Sequence, residues 1–129
     1  MLLNKGGFGT DQIANIEIII APSGQVNTIN ASTRNSGIVS LNVDLGQNRL
    51  TVNNIPRLGT LNFQVFNFNN VFGTVAEDRI VGNNFNNTID GSGSNDSLFG
   101  GGGNDLLIGS SGNDVVVGDA GNDVNLSNL

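Results

Sequence analysis

Apolar and polar residues alternate across 39–45, where Val39, Leu41, Val43 and Leu45 are separated by Ser40, Asn42 and Asp44. A period of two puts every second side chain on one face, which predicts a half-buried β-strand. Gly46-Gln47-Asn48 predicts a turn, and Leu50 and Val52 continue the alternation beyond it. After Pro56 and Gly59 the pattern resumes at Leu61, Phe63 and Val65 and leads into Phe66, Phe68 and Phe72. Apolar residues at helical spacing are nowhere sustained, and Gly and Asn are too frequent for stable helices. The chain is predicted to be all-β.

From Gly73 onward the period lengthens to nine. Glycine recurs at Gly73, Gly82, Gly91, Gly100, Gly109 and Gly118, cutting the chain into GTVAEDRIV, GNNFNNTID, GSGSNDSLF, GGGGNDLLI, GSSGNDVVV and GDAGNDVNL. The sixth position reads Asp78, Asn87, Asp96, Asp105, Asp114 and Asp123. The eighth is apolar at Ile80, Ile89, Leu98, Leu107 and Val116 and becomes polar at Asn125. A flexible Gly/Asn linker would keep this composition and lose the register. Repetition at a fixed short period is the mark of a solenoid. Six residues forming a tight loop, then three extended ones with a single inward apolar centre, make half a coil. Repeat n then stacks on repeat n+2 at the ordinary strand spacing of roughly 4.8 Å.

Composition narrows the chemistry. The 129 residues contain 19 Gly and 23 Asn but no Cys, His, Trp or Tyr. Without His or Cys there is no zinc site of the usual kind, no disulfide and no Ser-His-Asp or Cys-His nucleophile. Five Lys and Arg cannot neutralise a run of phosphates, which argues against nucleic-acid binding. The longest apolar run, Ile18-Ile19-Ile20-Ala21, is too short for a transmembrane segment, and Met1-Leu2-Leu3 leads straight into Asn4 and Lys5 without the apolar core of a signal peptide. Charge divides the chain near Gly73. Residues 1–72 carry 3 acidic and 4 basic residues, and residues 73–129 carry 8 acidic and 1 basic. Two regions follow: a capping region, 1–72, and a nonapeptide region, 73–129.

Stacking at 18 residues places like charges together. Asp78, Asp96 and Asp114 form one ladder, and Asn87, Asp105 and Asp123 the other. Carboxylates one strand apart repel, and a cation between them reverses the sign of the interaction. With only oxygen ligands on offer, calcium suits the gap better than magnesium, because it takes six to eight oxygens in flexible geometry and accepts backbone carbonyls. Asp119-Ala120-Gly121-Asn122-Asp123 does not make an EF-hand, since no Glu follows at the required distance and no helix can flank it.

The nonapeptides resemble the hemolysin-type calcium-binding repeats of the bacterial RTX (repeats-in-toxin) family, whose pattern is G-G-x-G-x-D-x-U-x. GGGGNDLLI matches at every defined position, and GSSGNDVVV and GDAGNDVNL match at most. The resemblance implies a right-handed parallel β-roll, a β-helix solenoid with Ca2+ held between turns. Each ion takes an Asp from one loop, an Asp from the loop two repeats on, and carbonyls from both. Carried over to this chain, the firm sites are Asp96 with Asp114 and Asp105 with Asp123. Asp78 with Asp96 is weaker because Ala76 replaces a loop glycine, and Asn87 with Asp105 is weaker again, having Phe85 in its loop and an amide in place of a carboxylate. That gives two ions, and four at most. The loop glycines assigned to these sites are Gly91, Gly93, Gly100, Gly102, Gly103, Gly109, Gly112, Gly118 and Gly121.

Residues 1–72 are expected to form wider or degenerate β-helix turns that cap the roll, with a separate β-sandwich as the alternative. Asn27-Thr28-Ile29-Asn30 echoes Asn87-Thr88-Ile89-Asp90. The stretch GTDQIANIEII from Gly9 resembles segments found between RTX blocks, and the phenylalanines are expected in the core. Glu17 and Asp44 are expected as surface charges near Arg34 or Arg49, with no carboxylate pair arranged for acid–base catalysis; no enzyme is indicated. Val81, Phe99 and Val117 are expected to make one outward apolar row, either exposed and open to a partner or to a copy of the chain, or covered by the N-terminal strands or by further chain. A flat Thr ladder for ice binding is absent, since that row reads Arg79, Thr88, Ser97, Leu106, Val115, Val124. The expected function is a secreted, extracellular calcium module that folds on meeting Ca2+ outside the cell, its RTX resemblance implying type I secretion. The alternative is a self-assembling structural subunit that stacks through the open ends of its solenoid.

Overall fold

The computed structural model describes residues 17–32 and 37–128. Most of the Gly9 stretch and Arg34 lie outside them. Among the described residues there are twelve strands and no helix, so none is long and apolar enough to cross a membrane. In chain order these are β1 (Glu17–Ile20), β2 (Thr28–Asn30), β3 (Ser40–Asp44), β4 (Arg49–Ile55), β5 (Gly59–Phe66), β6 (Asn70–Phe72), β7 (Arg79–Val81), β8 (Thr88–Asp90), β9 (Ser97–Gly102), β10 (Leu106–Ile108), β11 (Val115–Ala120) and β12 (Val124–Leu126).

Successive repeats alternate between two sheets. The five-stranded sheet runs β12-β10-β8-β6-β2 and is parallel throughout. The seven-stranded sheet runs β1-β5-β4-β3-β7-β9-β11. Its β3, β7, β9 and β11 are parallel, but β3-β4-β5 is an antiparallel meander, so this sheet is mixed.

That meander corrects the expectation of wide β-helix turns. Only Leu45–Asn48 separates β3 from β4, and a loop that short can join antiparallel strands only, because a parallel return needs a crossover of a dozen residues or so. The Asn48 N–H donates to Leu45 O at 3.3 Å, with Asn48 at φ 57°. At the next turn the Leu58 N–H donates to Ile55 O at 3.0 Å, with Arg57 at φ 69°. A separate sandwich is not formed either, for β3 hydrogen-bonds to β7 and β6 to β8. The Asn27 echo occupies an equivalent place in the stack, with Thr28, Asn70 and Thr88 in one cross-strand row through β6.

The core lies between the sheets, and one in-register column from each runs through the stacked coils. Val43, Ile80 and Leu98 stand in register in one, and Ile29, Val71, Ile89 and Leu107 in the other, all buried. Each such side chain contributes about 1.5–3 kcal/mol relative to exposure. The column thins towards the last coil, where Val116 is partly buried and Asn125 is exposed. Among the described phenylalanines, Phe63 alone is fully buried in the core; Phe66, Phe68, Phe72 and Phe99 are half-buried, and Phe85 is 67% exposed on its loop. Phe72 points outward because the inward place in its three-residue strand is held by Val71. Val81, Phe99 and Val117 do align across β7, β9 and β11, but the row is half-buried rather than exposed, and the Arg79 guanidinium sits 5.4 Å from the Phe99 ring centre. Asp44 and Arg49 are cross-strand neighbours, and Asp44 Oδ1 accepts the Gln47 N–H at 3.0 Å.

Candidate metal centre

Each nonapeptide loop brings its sixth-position side chain back against its own first glycine. A Cβ on Gly91, Gly100, Gly109 or Gly118 would collide with Oδ2 of Asp96, Asp105, Asp114 or Asp123 respectively. The same Cβ on Gly100 would stand 2.6 Å from Gly118 O, and on Gly109 2.8 Å from Ser127 O. Glycine is therefore required because a carboxylate oxygen and a carbonyl oxygen from the next coil crowd one small space. Gly103, Gly112 and Gly121 are needed for a different contact, since a side chain there would strike the carbonyl of Phe85, Ser94 or Gly103 in the preceding coil. Gly93 and Gly102 do not face a carboxylate: Gly93 bridges to Ser111, and Gly102 lies beside Asn84 at the end of β9.

The sixth positions form two hydrogen-bonded ladders. In one, the Asp78 N–H donates to Asp96 Oδ1 at 2.8 Å and the Asp96 N–H to Asp114 Oδ1 at 3.0 Å. In the other, the Asn87 N–H donates to Asp105 Oδ1 at 2.7 Å and the Asp105 N–H to Asp123 Oδ1 at 2.9 Å. One oxygen of each linked carboxylate is thus satisfied by backbone. The second is not: Oδ2 of Asp96, Asp105 and Asp114 is buried with no hydrogen-bond partner.

A buried, half-satisfied carboxylate resists ionisation. Burial pushes Asp96 up to about 7, the Asp78 N–H opposing and the nearby Asp78, Asp114 and Asp90 charges adding to the rise. Burial likewise raises Asp105, against the Asn87 N–H and with Asp123 and Asp119. Asp78 is raised by burial too, although N–H donors from Leu41 and Thr74 oppose it. Among the described residues no three acidic side chains converge, so a cation here would be held by paired carboxylates together with carbonyls. Orphaned hard oxygens beside backbone carbonyls fit a calcium ion well.

Sequence reasoning missed the groups that close the first two loops. Thr74 donates through its N–H to Asp78 Oδ2 at 2.6 Å and the Leu41 N–H donates to Asp78 Oδ1 at 2.6 Å. Asn83 donates through its N–H to Asn87 Oδ1 at 3.0 Å. The available signal was the second position itself, where Thr and Asn replace the Gly, Ser or Asp of later repeats.

Residues 72–107 and 91–124 match the family model of the RTX calcium-binding nonapeptide repeat. A comparison with curated proteins finds no match to the chain. Residues 72–124 thus carry the RTX-type calcium-binding nonapeptide repeat.

Proposed function

We propose that residues 73–129 form a right-handed parallel β-roll that calcium folds and locks, held at Asp96 with Asp114 and at Asp105 with Asp123, while residues 1–72 cap it. The observation that carries this is the set of three buried carboxylate oxygens without partners, on Asp96, Asp105 and Asp114. Burying a charge without a partner costs several kcal/mol. When bound, calcium supplies positive charge and open coordination positions to those oxygens. The chain's own residues do the rest: the ladder N–H groups fix each Oδ1, the first glycines let Oδ2 approach the neighbouring carbonyls, and the apolar columns hold the coils in register. Binding energy then becomes folding energy.

Extracellular modules hold calcium at about 10⁻⁴–10⁻³ M. A roll tuned to that range stays loose inside a cell and closes outside it, which supports a secreted, extracellular role in structure or export and a binding rather than a catalytic activity. Far-UV circular dichroism of the chain titrated with calcium tests this. Strand signal from 91–126 should rise with the ion and fall with EGTA, and a signal indifferent to both defeats the proposal.

A second reading has one observation in its favour. β11 and β12 are edge strands at the same end of the two sheets, with Val115 and Val124 about half exposed beside them. Open edges with apolar flanks invite end-to-end pairing of copies. Light scattering in calcium should then show mass growing with concentration; a constant monomer mass removes this reading.

A further inference from the structure

The six loops are of two kinds. At 91–96, 100–105, 109–114 and 118–123 the second and fourth residues have positive φ: Ser92 and Ser94, Gly101 and Gly103, Ser110 and Gly112, Asp119 and Gly121. Four of these eight are not glycine. Non-glycine residues persist in that region only where the surroundings over-determine them, and such strain gathers at ligand sites. The orphaned carboxylate oxygens belong to these loops alone.

The loops at 73–78 and 82–87 differ in every one of these respects. Thr74, Ala76, Asn83 and Phe85 have no positive φ. In each, the second side chain turns onto the fourth N–H: Ala76 donates to Thr74 Oγ1 at 3.1 Å, and Phe85 to Asn83 Oδ1 at 3.0 Å. The second N–H then points into the space of the sixth side chain, at Asp78 Oδ2 and Asn87 Oδ1. Thr74 Oγ1 adds a hydroxyl within 3.0 Å and 3.1 Å of the two Asp78 oxygens. The Asn87 amide nitrogen donates to Asn69 O at 2.6 Å and to Asn83 Oδ1 at 3.0 Å, giving oxygen atoms there the positive partner that a cation would otherwise provide.

We propose that the two loops beginning at Gly73 and Gly82 are closed by protein hydrogen bonds and take no calcium, so that the structure through β8 folds without the ion and presents β7 and β8 as a ready-made template for the calcium-dependent coils. This rests on the calcium reading above and adds to it a partition: two ions, both held by residues 91–126, and one register-setting end that is metal-independent. The template matters physically because each coil buries little alone, and a stack is hardest to start. With β7 and β8 already formed, Ile80 and Ile89 offer apolar partners to Leu98 and Leu107, and the Asp78 and Asn87 N–H groups stand ready to donate to Oδ1 of Asp96 and Asp105.

Hydrogen exchange of the whole chain, in calcium and in EGTA, reads the partition directly, alongside calcorimetric counting of calcium bound by the chain and by Asp78→Asn. Amides of 40–90 should keep their protection in EGTA, while those of 97–126 should lose about 100-fold or more, the difference between a closed and a locally unfolded unit. Asp78→Asn should still bind two ions. Loss of an ion in Asp78→Asn, or exchange in EGTA as fast across 40–90 as across 97–126, overturns the partition while leaving calcium binding intact. No calcium uptake by the unaltered chain overturns the calcium reading itself, whatever the exchange pattern. Should Asp78→Asn fail to fold, the exchange measurement on the unaltered chain decides alone.

Discussion

Asp96 and Asp114 are joined by a 3.0 Å hydrogen bond from the backbone N–H of the first to Oδ1 of the second, yet Oδ2 of each is buried without a partner. The relationship is half attractive and half repulsive: the ladder bond fixes distance and register, and the two negative charges oppose it. Replacing Asp96 by Asn should therefore separate the two halves. In EGTA the variant should be more stable, by about 1 kcal/mol or more, because a buried charge is gone. In calcium it should need about tenfold more ion to reach its folding midpoint, since 1.4 kcal/mol of lost ligand energy is a factor of ten. Chemical denaturation in both conditions checks this, and the same direction of change in both would refute it.

Gly100 tests why glycine opens each repeat. A Cβ there meets Asp105 Oδ2 and stands 2.6 Å from Gly118 O, neither of which can withdraw without breaking a coil contact. Gly100→Ala should cost about 2–4 kcal/mol in the calcium form, at the upper end for overpacking. Gly46→Ala is the matched control, since its Cβ would lie 3.4 Å from Asp44 Oδ1 and 3.5 Å from Gly82 O, close to ordinary contact. Its effect should stay within about 1 kcal/mol, as for a substitution that makes no clash. Thermal melts of the pair, in calcium, give the comparison.

Acid should partly replace the ion. Burial raises Asp96 to about 7, and raises Asp105 and Asp78 as well, so the folded state without calcium binds protons that the unfolded state has released. Where the native state holds more protons, stability falls as pH rises. The contribution is fully present below the ordinary carboxylate range and is lost as pH climbs towards 7. Strand signal in EGTA should accordingly grow between pH 8 and pH 5. Calcium affinity should move the other way, because protons compete for the same oxygens. A strand signal in EGTA that declines on acidification would contradict the assigned burial of these carboxylates.

Much of this arrangement was legible in the residues. The 18-residue register follows from Gly73, Gly91 and Gly109 in one series and Gly82, Gly100 and Gly118 in the other, and it puts Ile80 against Leu98 and Ile89 against Leu107. A column of buried apolar residues spaced by a fixed period needs no further information. The meander is less legible: Gly46-Gln47-Asn48 predicts a turn, but the alternation on either side of it fits an antiparallel hairpin and a coil strand equally, and only the four-residue span from β3 to β4 forbids parallel pairing. The closure of the first two loops was hidden for a deeper reason. Thr74 Oγ1 and the Leu41 N–H act on Asp78 from 4 and 37 residues away, and no periodicity relates them. Polar satisfaction is a property of assembled geometry, whereas repeat register is a property of spacing.

If loop chemistry decides which coils take calcium, it can be transferred. Thr74→Gly with Ala76→Gly removes the single hydroxyl that both accepts the Ala76 N–H and donates to Asp78, and it allows the second and fourth residues the positive φ of the later loops. Oδ2 of Asp78 then loses part of its closure and becomes like Oδ2 of Asp96, with Asp96 Oδ1 already held by the Asp78 N–H. The double variant should bind one calcium more than the unaltered chain, seen by calorimetry or native mass spectrometry. Without calcium its cap should be weaker, by about 1–3 kcal/mol, the cost of leaving a buried acceptor short of donors. The two effects have opposite signs with respect to the ion, so simple damage to the fold cannot imitate them: damage lowers stability and calcium count together, while conversion of the loop lowers one and raises the other.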